Sequence, residues 1–428
     1  WYNDHNDSGT VNYEYTNRQG SAPSGDGNIS LDPWFVDPDS EDYSLSPGSV
    51  CINRGHPTWD DEDGTRRDMG KYIYTDTNQG PTWYVAPNGS FENGDGSSGN
   101  PLSSVQAAIN LANEGDTIIL SEGTYTGKGN YNIYFLGKDV TIESSGTADN
   151  TIIDTGAYNE EGGVENHGRR VFYFAAHGSY GTVSTNTVID DVTISNGHLD
   201  GTYIHGTIDD SNGGGIYIHN SSPTFTNCII RDNKIYRYCN NCETRGGGIH
   251  LYNSNSTFTN CQILNNEARA DVNSTYDYYA YARGGGVYVD EGNPSIINSL
   301  IKDNLVYSRD HDADDDSRAY GYGAGVYKWG GGTLTLTDVE VSSNGFSSEG
   351  QEISQYGGGI YVQDGTTNIN NCTIVYNNRQ GIYRDNGAIN VYNSVIYGNS
   401  NNDSGSIYYN YSNVQGGAGG EGIIQANP

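Results

Sequence analysis

One line of residues returns through the second half of the chain and limits its fold more than any other feature. It reads Gly213-Gly-Gly-Ile-Tyr-Ile, then Gly246-Gly-Gly-Ile-His-Leu, Gly284-Gly-Gly-Val-Tyr-Val, Gly323-Ala-Gly-Val-Tyr-Lys and Gly357-Gly-Gly-Ile-Tyr-Val. A weaker copy reads Asn386-Gly-Ala-Ile-Asn-Val. Each copy is followed by a second strand-like run, centred on Cys228, Cys261, Ser299, Val339, Cys372 and Ser394. The intervals between these centres are 33, 38, 40, 33 and 22 residues. A repeat of this length is one supersecondary unit that buries its apolar side only by stacking on its neighbours. The 22-residue interval reads as a bare coil, and the longer ones as the same coil carrying an insertion.

Within each line the pattern has period 2, so alternate side chains go to opposite faces. Ile216, Ile249, Val287, Val326, Ile360 and Ile389 take the inward position, and Tyr217, His250, Tyr288, Tyr327 and Tyr361 the outward one. An Asn follows each centre by five residues: Asn233, Asn266, Asn304, Asn344, Asn377 and Asn399. A second row precedes the centre by one: Asn227, Asn260, Asn298, Asp338, Asn371 and Asn393. Stacked coils set equal positions about 4.8 Å apart, so amides there can bond their own copies above and below. Asn also accepts the left-handed conformation of a tight turn. Lys, Glu, Leu and Ala are scarce while Gly reaches 59 and Tyr 36, which argues against a helical fold.

These Gly-Gly-Gly-Ile-Tyr lines and Asn turns resemble the right-handed parallel β-helix repeats of the pectate-lyase-like superfamily, as found in bacterial surface and secreted proteins. The resemblance spans roughly residues 83 to 428 and implies an all-β, right-handed parallel β-helix solenoid. Residues 101–116 carry apolar side chains at 102, 105, 108, 109, 111 and 112 and read as an amphipathic helix. The resemblance places such a helix over the first coil, where it covers an open sheet edge. Thr117 to Leu120 reads as the first strand.

The two ends of the chain are copies. Asp7-Ser-Gly-Thr matches Asp403-Ser-Gly-Ser, and Tyr15-Thr-Asn-Arg-Gln-Gly matches Tyr411-Ser-Asn-Val-Gln-Gly. Gly25-Asp-Gly-Asn-Ile-Ser-Leu-Asp-Pro matches Gly420-Glu-Gly-Ile-Ile-Gln-Ala-Asn-Pro. Residues 1–80 therefore resemble the last coil and C-terminal tail of a preceding β-helix unit, ahead of a β-helix over 81–428. Two readings follow: one register of a tandem array, or a subunit whose N-terminal segment completes its neighbour. Both predict head-to-tail extension, because a heterologous end-to-end contact does not close; the alternative is that residues 1–80 are a small ordinary domain and the copy is ancestral. Trp34, Phe35, Ile423 and Ile424 are the apolar residues assigned to that contact.

Cys228, Cys261 and Cys372 share one coil position, which predicts a ladder of small buried side chains. A bridge between Cys228 and Cys261 is the alternative, since adjacent coils lie within disulfide reach. Cys239-Asn-Asn-Cys242 lacks the second pair a zinc site needs and is assigned as a local disulfide, which fits an oxidising compartment. Cys51 is expected packed and free. Asp61, Asp63 and Asp68, around a Gly turn, are candidate calcium ligands because calcium takes several closely spaced hard oxygens. The acidic run from Asp310 to Asp316 reads as a solvated loop, with a weak divalent-cation site as the alternative.

The insertions, roughly 234–245, 267–283, 305–322 and 345–356, should all emerge on one side of the solenoid. They carry Tyr236, Tyr238, Tyr276, Tyr278, Tyr279, Tyr281, Tyr320 and Tyr322 as a candidate binding face. Tyr gives amphipathic contact area at low entropic cost.

The net charge of −32 excludes a nucleic-acid binder, which needs clustered cations, and no apolar run is long enough for a membrane span. Arg169-Arg170 is the basic pair near a coil, open to an acidic sugar or to an ion pair with Glu160 or Glu161. Asp190-Asp191 with Asn196 and His198 is a partial match to a polysaccharide hydrolase pattern, and no catalytic residue is assigned. The reading is an extracellular or cell-surface structural and adhesive protein that extends head-to-tail into a fibre or stalk, with self and cell-surface glycans as partners. A polysaccharide lyase or glycoside hydrolase is the alternative, and a glycan-binding module the third reading.

Overall fold

The computed structural model describes residues 11–20, 22–75, 77–156, 168–176, 181–200, 212–238, 241–272, 279–310, 318–349, 353–401, 403–415 and 420–424. The chain winds into a right-handed parallel β-helix. Three sheets wall its shaft. One has twelve strands, from Thr82–Ser90 to Gly420–Glu421; a second has ten, from Gly123–Tyr125 to Asn413–Val414; a third has eight, from Ile133–Tyr134 to Ile382–Arg384. Every strand pair in these walls is parallel and stays in register from coil to coil, as in Ile216↔Ile249↔Val287↔Val326↔Ile360. Each inward residue therefore meets the same kind of residue above and below. The core is a column of Ile, Val, Leu and Phe with exposures near zero.

The two sequence signatures explain each other. The buried Asn of each coil accepts, on Oδ1, the backbone N–H and the side-chain N–H of the Asn one coil earlier: Asn266 donates both to Asn304 (3.0 and 2.9 Å), and Asn304 both to Asn344 (3.0 and 2.9 Å). Each Nδ2 also reaches a main-chain carbonyl of the preceding coil, Ile263 O for Asn304 (2.9 Å). The third residue of the Gly line lies against that amide. A Cβ on Gly286 would come within 3.0 Å of Asn304 Cγ, and one on Gly325 within 3.0 Å of Asn344 Nδ2. The first Gly of the line adopts φ of +66 to +72° at 213, 246, 284 and 357, a region that β-carbons resist.

The second run of each coil is two strands, not one. Thr224–Thr226 and Ile229–Arg231 are separated by Asn227 at φ +53°, and the same corner recurs at Asn260, Asn298, Asp338, Asn371 and Asn393. These side chains form an outer ladder, for example Asn260 Nδ2 to Asn227 Oδ1 at 3.1 Å and Asn393 to Asn371 at 3.0 Å. The left-handed residue at the next corner is the one before the buried Asn, such as Asp232, Asn265, Asp303 and Ser343.

Three further expectations shift. The Asn386 line belongs to the twelve-stranded sheet, where Ala388–Tyr392 pairs with Thr366–Asn370. The true sixth member of the Gly line is Gly381-Ile-Tyr, whose Ile382 and Tyr383 pair with Ile360 and Tyr361. This coil carries no insertion, so its Gly line follows Asn377 almost at once and shrinks to one Gly. The helix is Val105–Leu111, shorter than 101–116. Ser104 Oγ caps it by accepting the Ala107 N–H, and Lys138 Nζ closes its other end on the carbonyls of Ile109 and Asn110 (2.8 Å each) and Ala112. Thr117–Leu120 is the second strand of its sheet, because Thr82–Ser90 pairs ahead of it.

The described residues of the insertions are strands rather than loops. They build a second, thinner pair of parallel sheets beside the shaft, here called the fin. One fin sheet stacks His198–Asp200, Lys234–Tyr238, Glu267–Val272, Leu305–Asp310 and Gly345–Glu349. The other stacks Cys242–Arg245, Tyr279–Arg283, Arg318–Tyr322 and Ile353–Tyr356. Between them lies a separate core of Leu199, Ile235, Ala268, Ala270, Ala280, Ala282 and Val306. Residues 34–75 lie over the helix and share the core of the shaft. Gly48 O accepts from Asn110 Nδ2 at 2.6 Å, and Trp34 packs on Phe91 at 5.4 Å.

Candidate functional site

The fin and the shaft meet along an inner corner, here called the trough, where rings from the two pack on each other. Its base is a ladder of rings projecting outward from the eight-stranded sheet. Tyr134, Tyr173, Tyr217, His250, Tyr288, Tyr327, Tyr361 and Tyr383 follow one another at 4.9 to 5.3 Å. From Tyr217 onward the rings lie within 18° of parallel. The sequence pattern makes these side chains outward, and the fin then buries them: Tyr288 and Tyr327 are fully covered. His250 stands where the other coils have Tyr, and burial holds its pKa well below 6.5, so it packs as a neutral ring.

The wall of the trough is the four-stranded fin sheet. Tyr281 stacks on Tyr320 at 5.0 Å, Tyr279 lies 6.2 Å from each, and Tyr322 lies 6.1 Å from Tyr320. All four rings are half-buried on one face. Among them sits a charge cluster. Glu243 receives Arg245 Nη2 at 2.7 Å and Arg283 Nη1 at its other oxygen. Burial works against the Glu243 charge, but hydrogen bonds from Arg245 and the charge of Arg283 outweigh it, so its pKa is lowered. Arg283 also lies 4.8 Å from the Tyr281 ring and 5.6 Å from the Tyr327 ring. On the shaft side, burial pushes Asp290 up to about 6, with Arg245 opposing. Burial lowers Lys328 to about 8, and its three donors are spent on the carbonyls of Trp329, Gly330 and Gly331 (2.7, 2.8 and 2.8 Å).

The structure divides the predicted tyrosine face. Tyr279, Tyr281, Tyr320 and Tyr322 share the trough wall, while Tyr236 and Tyr238 lie on the opposite fin sheet. There Arg269 is held between the rings of Tyr236 (4.9 Å) and Tyr307 (4.3 Å) and bonds Asp271 through two nitrogens. Tyr276 and Tyr278 lie outside the described residues, as do Cys239, Glu160, Glu161 and residues 311–317. Sequence reasoning missed Glu243, Arg245, Arg283 and Asp290. Period-2 alternation on the strands of the insertions would have put the first three on one face.

Other candidates have local structural work. Asn227 Nδ2 reaches both Asp190 (2.9 Å) and Asp191 (3.4 Å), which begin the outer ladder. Arg170 is buried beside Tyr173 and Tyr217, and Arg169 lies 4.2 Å from the Tyr131 ring. Cys228 and Cys261 are separate thiols, each hydrogen-bonded to main-chain carbonyls, so the bridge between them is not formed. Cys372 repeats the position, and Cys51 is buried and accepts from Asn17 Nδ2 at 3.3 Å. Cys242 is buried in its fin strand. Asp61 Oδ2 accepts the Asp68 N–H (2.8 Å), Asp63 accepts from Thr65, and Asp68 accepts the N–H groups of Asn53 (2.7 Å) and Tyr74 (2.6 Å). Among the described residues no three His, Cys, Asp or Glu side chains group as a metal site. Among the described residues, no helix is long and apolar enough to cross a membrane.

No family model matches the sequence, and no curated protein matches it. Solved structures do. Pectate lyase Pel9A is 18% identical, over 81% of this chain and 77% of that one, with a TM-score of 0.46. A rhamnogalacturonan lyase is 13% identical over 81% and 85%, with a TM-score of 0.39. Pectin methylesterase from carrot is 12% identical over 81% and 87%, with a TM-score of 0.32. The likeness is one of fold.

Proposed function

We propose that the chain is an extracellular structural and adhesive rod, and that the trough is the face with which it holds a glycan. The observation that carries this reading is the wall itself: Tyr279, Tyr281, Tyr320 and Tyr322 on one rigid sheet face around Glu243, Arg245 and Arg283. Aromatic bodies with polar tips suit ligands that are apolar on one face and hydroxylated at the rim. A guanidinium–carboxylate cluster offers paired donors and acceptors to vicinal hydroxyls. The charge of −32 opposes a polyanion at long range and favours a neutral polysaccharide. The expected result is retardation of the protein in gels containing a neutral polysaccharide, lost in a Tyr281→Ala, Tyr320→Ala variant. Equal retardation of both proteins, or none of either by any neutral polysaccharide in a panel, overturns the reading.

A second reading is glycoside hydrolysis, and one observation favours it. Asp290 is pushed up to about 6 while Glu243 is held low, the split that separates a general acid from a carboxylate base. Asp290 is 3% exposed, so binding ranks ahead of cleavage. Release of reducing ends that disappears in both Asp290→Asn and Glu243→Gln would reverse that order.

A further inference from the structure

The matching ends of the sequence also match in conformation. Tyr15 and Tyr411 both have φ +48°. Arg18 N donates to Ile29 O at 3.0 Å, and Val414 N to Ile424 O at 3.0 Å. In return, Ile29 N donates to Thr16 O at 2.9 Å, and Ile424 N to Ser412 O at 3.0 Å. The resulting parallel bridges are Asn17↔Ile29 and Asn413↔Ile424. Gly27 and Gly422, at φ +66° and +67°, each lie so close to the Tyr ring that a Cβ would collide with it. Residues 15–20 and 22–29 thus follow a coil of the shaft's own C-terminal type, placed at the N-terminal end. The segment Asp7–Thr10 lies outside the described residues.

The two copies differ in what lies over them. Ile29 is 0% exposed, and Ile424 is 57% exposed. In the first copy the cover is the segment 34–75: Cys51 meets Asn17, His56 meets the Tyr15 ring at 5.1 Å, and Arg66 lies 5.4 Å from the same ring. The other side of that segment rests on the helix through Gly48 and on Phe91 through Trp34. It is a joint between a last-type coil and a first-type cap. A cleft of about 1100 Å³ remains between them, lined by Tyr15, Leu31, Phe35, Leu45, Met69 and Tyr72 among others. Of the twelve exposed large apolar side chains among the described residues, six lie before residue 75 and four beyond residue 390. The apolar exposure that marks association is therefore at the two ends.

We infer that residues 15–20 and 22–31 are a plug, and that the joint takes in its place the coil of residues 408–415 and 420–424 of a second copy. The incoming coil has the same backbone, so it presents Tyr411, Asn413 and Ile424 where Tyr15, Asn17 and Ile29 now sit. The partner is a second copy because its coil is the one shape for which the joint is already built. The contact is heterologous and repeats without closing. Trp34 and Phe35 then serve the joint from within their own chain, Phe35 packing on Tyr43 at 5.5 Å, and Ile424 supplies the facing surface.

The test removes the plug. The intact chain should sediment as one unit. A variant lacking residues 1–31 should sediment as two units and more, with concentration, and adding Ile424→Asp should return it to one unit. If the deleted variant fails to fold by circular dichroism, Ile29→Asp in the intact chain loosens the plug instead and should produce the same shift. A position-specific check mixes a Tyr411→Cys protein with a His56→Cys protein, both unplugged; oxidation should give a cross-linked dimer that neither gives alone. A folded, unplugged variant that stays at one unit overturns the inference, as does assembly indifferent to Ile424→Asp. Neither outcome bears on glycan retention by the trough, so the two readings fail separately.

Discussion

Replacing Asn304 by Ala should break the shaft in its middle. Asn304 is 1% exposed, and its Oδ1 is the acceptor for both the backbone N–H (3.0 Å) and the Nδ2 (2.9 Å) of Asn266. The substitution strands these two donors where no water reaches, and also removes the Nδ2 bonds to Ile263 O and to Asn344 Oδ1. At about 1–3 kcal/mol for each orphaned buried group, the loss is about 2–6 kcal/mol. The comparison is Asn298→Gly in the outer ladder of the same coil. Asn298 sits at φ +47°, which Gly adopts freely, and its amide bond to Asn260 (2.6 Å) is exposed, so the loss should stay under about 1 kcal/mol. Urea unfolding followed by fluorescence measures both. Because a repeat array is held by nearest-neighbour terms, Asn304→Ala should also split one transition into two. If Asn304→Ala loses no more than Asn298→Gly, the buried amide ladder is not what holds the coils together.

Three shorter predictions follow from single sites. Burial raises Asp403 to about 6, against hydrogen bonds from Tyr409 and the Ile382 N–H; its stabilising share is therefore full below about pH 4 and lost as pH rises through 6. Between pH 4.5 and 7.5 the melting temperature of the wild type should fall relative to that of Asp403→Asn, and parallel curves would contradict this. His250 has its pKa lowered, so its share is present above about 6.5 and lost as pH falls below; His250→Tyr should resist acid unfolding better than the wild type, and a variant that unfolds at the same acid pH refutes the claim. Asp61, Asp63 and Asp68 each hold the loop by accepting a backbone N–H, so a chelator should leave the melting temperature unchanged; a drop of several degrees would mean that calcium holds this loop.

The sequence made the shaft legible because a solenoid turns a local pattern into a global one. A period-2 run fixes inward and outward faces, and an Asn recurring at equal positions lies within bonding reach of its own copies. The inward Ile216, Ile249, Val287, Val326 and Ile360 pair in one register. The fin was less legible. Its strands sit in insertions of unequal length, so periodicity by coil does not reveal that Tyr281 lies on Tyr320. Nor does it reveal that a second sheet covers Tyr288 and Tyr327, which turns outward residues into buried ones. The charge cluster was hidden for the same reason, since Glu243 and Arg283 meet across strands 40 residues apart. The matched ends were readable as sequence, but only coordinates show Ile29 covered and Ile424 bare.

Electron microscopy of the protein lacking residues 1–31 would show the end-to-end joint directly. Twelve stacked strands at about 4.8 Å, with the joint adding roughly 10 Å, set a unit of about 6 nm. The account predicts unbranched rods with an axial repeat near that length, and single short rods once Ile424→Asp is added. Folded, unplugged protein that shows only single short rods would contradict it.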